Sequence, residues 1–111
     1  MHTRCYYIYI LTNQQRTVLF TGVTSDIEQR IIEHYRSRGQ NHSFTGQYHV
    51  YYLLYYEPHP YINNAIAREK EIKKWSSAKK MKLVGGLNSE LRFLNEKLFG
   101  CWPPKELPSR F

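Results

Sequence analysis

The sequence predicts an α+β fold, a small three-stranded antiparallel sheet flanked by helices in the order β-β-α-β-α-α-α. Two observations predict it. Three short runs, YYIYIL, TVLFTGV and VYYLLYY, are rich in the aromatic and branched residues that suit a pleated surface. Beyond the last of them the apolar residues recur at helical spacing. Strands followed mostly by helices imply a sheet with helices packed against it.

The first strand is expected over residues 4–12, with Tyr7, Tyr9 and Leu11 on one face and Tyr6, Ile8 and Ile10 on the other. Asn13-Gln14-Gln15-Arg16 is a polar break before a second strand over 17–23, which makes a hairpin. In TSDIEQRIIEHYR, Ser25 followed three residues later by Glu28 has the form of a capping box, so a helix should run over 26–37. Residues 38–49 mix Gly39, Asn41, Ser43 and Gly46 with basic residues and read as a loop. A third strand over 50–57 is closed by Pro58 and Pro60. Asn63 or Asn64 is then expected to cap a helix that reaches Trp75. Ser76-Ser77 interrupts it before a short helix over 78–84 that Gly85-Gly86 stops. Asn88 should cap a final helix with Leu91, Leu94 and Leu98 along one side. Residues 1–100 therefore read as one domain, and 101–111, CWPPKELPSRF, as a proline-rich tail lying on its surface.

With 111 residues there is room for one core and no second domain. Sixteen Lys and Arg against nine Asp and Glu give a formal charge of +7, and the pI is about 9.5. Such a field attracts polyanions, and nucleic acid is the first partner to consider. Cys5 and Cys101 are far apart and lack the spacing of a zinc site, which fits a reducing compartment. The start, MHTRCYYIYILTN, has no basic region followed by a long apolar run, and no window reaches about 18 apolar residues. The expectation is a cytoplasmic protein without a membrane partner.

Three places suggest chemistry. In NNAIAREKEIKKW, Ile62, Ala65, Ile66 and Ile72 form one apolar arc, and Glu69 falls inside it while Glu71 points to the basic side. A carboxylate aimed at a core costs several kcal/mol unless it is compensated, so Glu69 should meet either a neighbouring Arg or Lys or a metal ion. Arg30 and His34 stand four apart and flank the stripe of Ile27, Ile31 and Tyr35. An Arg there grips a phosphate and a His one turn on moves a proton, unless the pair is simply a solvated flank. Tyr9 considered alone reads as packing, and Asn88 as an ordinary cap.

Taken together, CYYIYILTN, VLFTGVTSDIEQRIIEHYR, REKEIKKW and the late Asn88 resemble the GIY-YIG nuclease superfamily, in particular its small stand-alone bacterial members, over residues 6–94. By position the resemblance makes Tyr9 the active-site tyrosine of the first motif. It makes Arg30 the contact to the scissile phosphate, Glu69 the carboxylate for a divalent metal, His34 the partner of the tyrosine, and Asn88 a late polar residue near the site. Phe20, Thr21 and Gly22 occupy the second motif, which implies that Phe20 and Gly22 border the substrate. The chain departs from the pattern at Tyr7, where the first motif has Gly, at Phe20, where the second has Tyr, and after Asn88, where relatives often continue with Pro. Loss of one preorganised hydroxyl at Phe20 would cost on the order of 10² to 10³ in rate.

The resemblance implies hydrolysis of phosphodiester bonds, most readily of DNA, by an activated water with Mg²⁺ or Mn²⁺ as cofactor. The basic run of Lys70, Lys73, Lys74, Lys79, Lys80 and Lys82 is expected to contact backbone phosphates, or else to be a solvated face. The absence of a targeting region leaves room for a protein partner. Two other readings stand beside the nuclease: a catalytically impaired module that only binds nucleic acid, and a protein-interaction domain with a Tyr-rich surface.

Overall fold

The computed structural model describes residues 5–104. Its sheet consists of β1 (Tyr6–Thr12), β2 (Leu19–Thr24) and β3 (Tyr52–His59), in the order β2-β1-β3 with both pairings antiparallel. This is the predicted α+β architecture. Residue 4, assigned to the first strand, and residues 105–111 of the expected tail lie outside the described residues. β2 begins two residues later than expected because the Asn13 side chain takes up the backbone N–H groups of Thr17 and Val18, at 2.8 and 3.3 Å.

The alternation along β1 splits the core in two. Ile8 and Ile10 pack with Leu54, Ala65, Ile72 and Val84, so α3 (Ile62–Lys73) and α4 (Ser77–Leu87) cover that face. Tyr9 and Leu11 pack with Ile27, Ile31, Val50 and Leu53, which brings α1 (Ile27–Arg36) onto the other. Each buried Ile or Leu side chain contributes about 1.5–3 kcal/mol relative to exposure.

Several local expectations are corrected. Asp26, not Ser25, caps α1, its carboxylate accepting from Gln29 N at 3.1 Å. Asp26 is held there by a Thr24 hydroxyl that accepts its own N–H at 3.1 Å. The supposed loop contains a short helix, α2 (Phe44–Gln47), capped by Ser43. β3 runs through Pro58, which lies opposite Tyr7; the missing N–H is tolerated because β3 is an edge strand. Neither Asn63 nor Asn64 caps α3, whose N-cap Tyr61 supplies no side-chain bond. Ile62 and Ile66 remain 47% and 37% exposed. The inward face of α3 is instead Ala65 and Ile72, with Arg68 and Glu69 between them. Gly85-Gly86 does not stop α4, which Ser76 caps at its start and which ends at Asn88. Asn88 thus closes one helix and does not open another. The last helix, α5 (Asn95–Phe99), begins without a side-chain cap, with Leu91 and Leu94 outside it.

Two side chains fix the frame around β3. Asn95 Oδ1 accepts from Leu53 N at 2.6 Å and its Nδ2 donates to Tyr51 O at 2.9 Å, standing in for a neighbouring strand. Arg68 Nε donates to Glu57 Oε2 at 2.9 Å and ties α3 to β3. The first residues of the expected tail are docked: the Trp102 ring packs on Tyr35 and Phe99, with centroids 5.2 and 5.1 Å away. No helix among the described residues is long and apolar enough to cross a membrane.

Candidate active site

Antiparallel register places Tyr9 opposite Gly22, and the Tyr9 ring lies over that glycine so closely that a Cβ there would overlap the hydroxyl and the ring. The glycine is needed for this approach and not for a turn. Tyr9 is 1% exposed, with its hydroxyl 3.1 Å from His34 Nε2 on α1. His34 is itself buried, and its Nδ1 lies 2.9 Å from Thr45 Oγ1 on α2. A hydroxyl, an imidazole and a second hydroxyl therefore stand in line, each supplied by a different element.

Burial dominates the electrostatics of this line. It pushes the Tyr9 phenol above its ordinary pKa, against the neighbouring Arg30 charge, while Glu69 and Glu33 add to the rise. Burial, seconded by Arg30, lowers His34 to about 4. Near neutral pH the tyrosine therefore keeps its proton and the imidazole is neutral, so one has a hydrogen to give and the other a lone pair to receive it. Burial alone would lower Arg30, but hydrogen bonding to Glu33 and interaction with Tyr9 raise it, and it stays a cation. Its Nη1 donates to Glu33 Oε1 at 2.8 Å, in a pair that is substantially exposed.

Glu69 turns inward on α3 as the sequence suggested, 16% exposed, and one of its oxygens lies 3.2 Å from Lys73 Nζ. Its field reaches the Tyr9 hydroxyl. Lys73 also sits 5.9 Å from the centre of the Phe20 ring. Phe20 packs beside both Tyr9 and His34, with ring centroids 6.3 and 5.5 Å away, and stacks on Phe44 at 6.4 Å. It thus adds packing where a tyrosine would add a hydroxyl.

The folded chain thus gathers Tyr9, Phe20, Gly22, Arg30, His34, Glu69 and Lys73 into one region. Lys70 lies exposed on α3 and Lys74 at its C-cap. Asn88 is on the far edge of the sheet from Phe20 and Gly22. Its Nδ2 donates to Leu54 O and Arg92 O, and its Oδ1 accepts from Arg92 N, at 3.0, 2.8 and 3.0 Å. Thr45 escaped the sequence reading. Its only local cue was Ser43 standing three residues before Gly46, a spacing that now proves to cap α2.

The donor set also bears on a metal. Among the described residues no three His, Cys, Asp or Glu side chains converge on a common point. A single carboxylate whose ion-pair partner, among the described residues, is a half-exposed lysine fits a hard divalent ion that retains most of its waters, as Mg²⁺ does.

Against known proteins, a family model described as the GIY-YIG catalytic domain matches residues 5–82. A UPF0213 protein of Staphylococcus saprophyticus is 39% identical over 79 residues, covering 71% of this chain and 93% of the relative. One of Natronomonas pharaonis is 35% identical over 79 residues, covering 71% and 89%. The solution NMR structure of the UPF0213 protein from Bacillus halodurans superposes with a TM-score of 0.51 at 26% identity, over 83% of this chain and 95% of that one.

Proposed function

Because this chain belongs to the GIY-YIG family, we propose that it is a metal-dependent endonuclease that hydrolyses phosphodiester bonds of nucleic acid, with DNA as the substrate. The observation that carries the reading is the Tyr9 hydroxyl, bonded to a neutral His34 and standing in the fields of both Arg30 and Glu69.

Each side chain then has a task. The Arg30–Glu33 pair is half exposed, so an incoming phosphate remodels it at small cost and draws the guanidinium onto its oxygens. Tyr9 takes a proton from the attacking water while passing its own to His34 Nε2, leaving hydroxide, a neutral phenol and an imidazolium. Arg30 neutralises the charge that grows on the phosphate oxygens. The Glu69 carboxylate would hold Mg²⁺ or Mn²⁺ once Lys73 moves aside. When bound, that ion supplies Lewis acidity at the phosphate and charge stabilisation at the leaving oxygen. Lys70 and Lys74 bind backbone phosphates without reading sequence.

The test is cleavage of plasmid and of branched or single-stranded oligonucleotides by purified protein with Mg²⁺, Mn²⁺ or EDTA. Cutting should need the metal, and Glu69→Ala should lower the rate at least about 10²-fold. A Glu69→Ala protein that cuts like wild type ends the proposal. Phe20, which has no hydroxyl, favours a second reading in which the fold binds nucleic acid without cutting it. That reading predicts salt-sensitive retention with no products under any metal, and cleavage after Phe20→Tyr would show that only the hydroxyl was missing.

A further inference from the structure

The proton path just described works in one direction only if His34 presents a lone pair, and not a hydrogen, to Tyr9. A neutral imidazole has two tautomers, and whatever occupies Nδ1 selects between them. Here that neighbour is Thr45 Oγ1 at 2.9 Å. We propose that Thr45 is a positioning residue whose hydroxyl oxygen accepts from His34 Nδ1–H and so holds Nε2 as the acceptor for the Tyr9 hydroxyl.

Two arguments set the polarity of the line. A phenol is the stronger donor and an aliphatic hydroxyl oxygen the stronger acceptor, so hydrogens run from Tyr9 to His34 and from His34 to Thr45. The Arg30 cation also acts on the Tyr9 oxygen, which favours turning the phenol hydrogen away from it and toward the imidazole. Arg30, Glu33, Ser37, His42 and Ser43 line the same hollow, and among the described residues the hydrogen-bond partner of Nδ1 is Thr45 Oγ1.

Thr45 is held firmly enough for the task. It is 4% exposed, and its carbonyl accepts from Val50 N at 2.9 Å. The next residue, Gly46, has no room for a side chain, since a Cβ would lie 2.6 Å from Ser37 O and 2.7 Å from Gln40 O. Gly46 O in turn accepts from Gly39 N at 2.8 Å, and Ser43 Oγ accepts from Gly46 N at 3.1 Å. The segment that read as a loop is therefore a rigid shelf under the imidazole.

This assignment deepens the hydrolytic reading and rests on it for its purpose, but the tautomer is measured without turnover. Two-bond ¹H–¹⁵N correlation of the histidine rings in ¹⁵N-labelled protein should give the Nδ1–H form for His34 in wild type and in Thr45→Ser. In the isosteric Thr45→Val protein it should give the Nε2–H form or a mixture. Thr45→Val should lower kcat about 10–100-fold with little change in KM, and Thr45→Ser should restore it. A wild-type Nε2–H tautomer overturns the assignment even if the valine protein does not fold, as does an unchanged tautomer in Thr45→Val. Expected tautomers in proteins that never cut would leave Thr45 in its role and remove the nuclease instead.

Discussion

The contact between Tyr9 and Gly22 makes the smallest substitution in the site a severe one. A methyl group at Gly22 collides with a ring that is itself packed, so Tyr9 must leave its hydrogen bond to His34 while the strands stay paired. Gly22→Ala should therefore fold and lose about 10²-fold or more in cleavage, as circular dichroism beside a rate measurement will show. His34 carries a prediction about stability. Burial holds its folded pKa near 4, below the 6.5 of an exposed histidine, so between these values the unfolded chain takes up a proton that the folded chain refuses. Stability should fall on acidification across that window by about 3 kcal/mol in all. Urea unfolding at pH 7.5 and pH 4.5 checks it: His34→Gln should lack this component, and an equal decline in both proteins would refute it. At this scale the gathering of Tyr9, Arg30, His34 and Glu69 was legible because the stretches that carry the resemblance keep their order and spacing. Thr45 was not, since nothing in Ser43-Phe44-Thr45-Gly46 specifies that its hydroxyl meets an imidazole eleven residues back.

Repeating patterns were read correctly in β1 and α1 but not in α3, where Ile62 and Ile66 stay exposed, nor at Leu91 and Leu94, which lie outside α5. The alternation in β1 and the stripe of α1 are local, so they survive without knowledge of the fold. α2 has four residues, too few to show a helical period, and exists because Ser43 and the tight packing of Gly46 close it. α4 passes through two glycines because buried Val84 anchors its last full turn and Val84 O accepts from Asn88 N at 2.8 Å. Tertiary contact here outweighs the glycine penalty of about 1 kcal/mol per residue. The same principle makes Asn95 exposed to test. Its fully buried amide completes the outer edge of β3, and truncation takes the partner from a buried backbone N–H and from a half-buried carbonyl. Asn95→Ala should lower stability by about 2–4 kcal/mol, read from the urea midpoint. A change under 1 kcal/mol would mean that water replaces the amide at no cost.

For the whole molecule the governing quantity is charge. A formal +7 on 111 residues draws any polyanion, and exposed Lys70 on α3 and Lys74 at its C-cap extend the positive surface beside Glu69 and Lys73. Affinity for a duplex of arbitrary sequence should fall steeply between 50 and 200 mM salt. Replacing Lys70 and Lys74 together with Gln should reduce the slope of log affinity against log salt by about 2, without changing sequence preference. An unaltered slope would place the nucleic acid elsewhere. The site itself draws on widely separated stretches: Tyr9 on the first strand, Arg30 and His34 on the first helix, Thr45 on the shelf and Glu69 past the middle of the chain. A ribosome delivers these pieces one after another, and the carboxylate comes last. A nascent or truncated polypeptide that lacks α3 therefore lacks the carboxylate, and the arrangement is whole only when synthesis has gone far enough for α3 to dock.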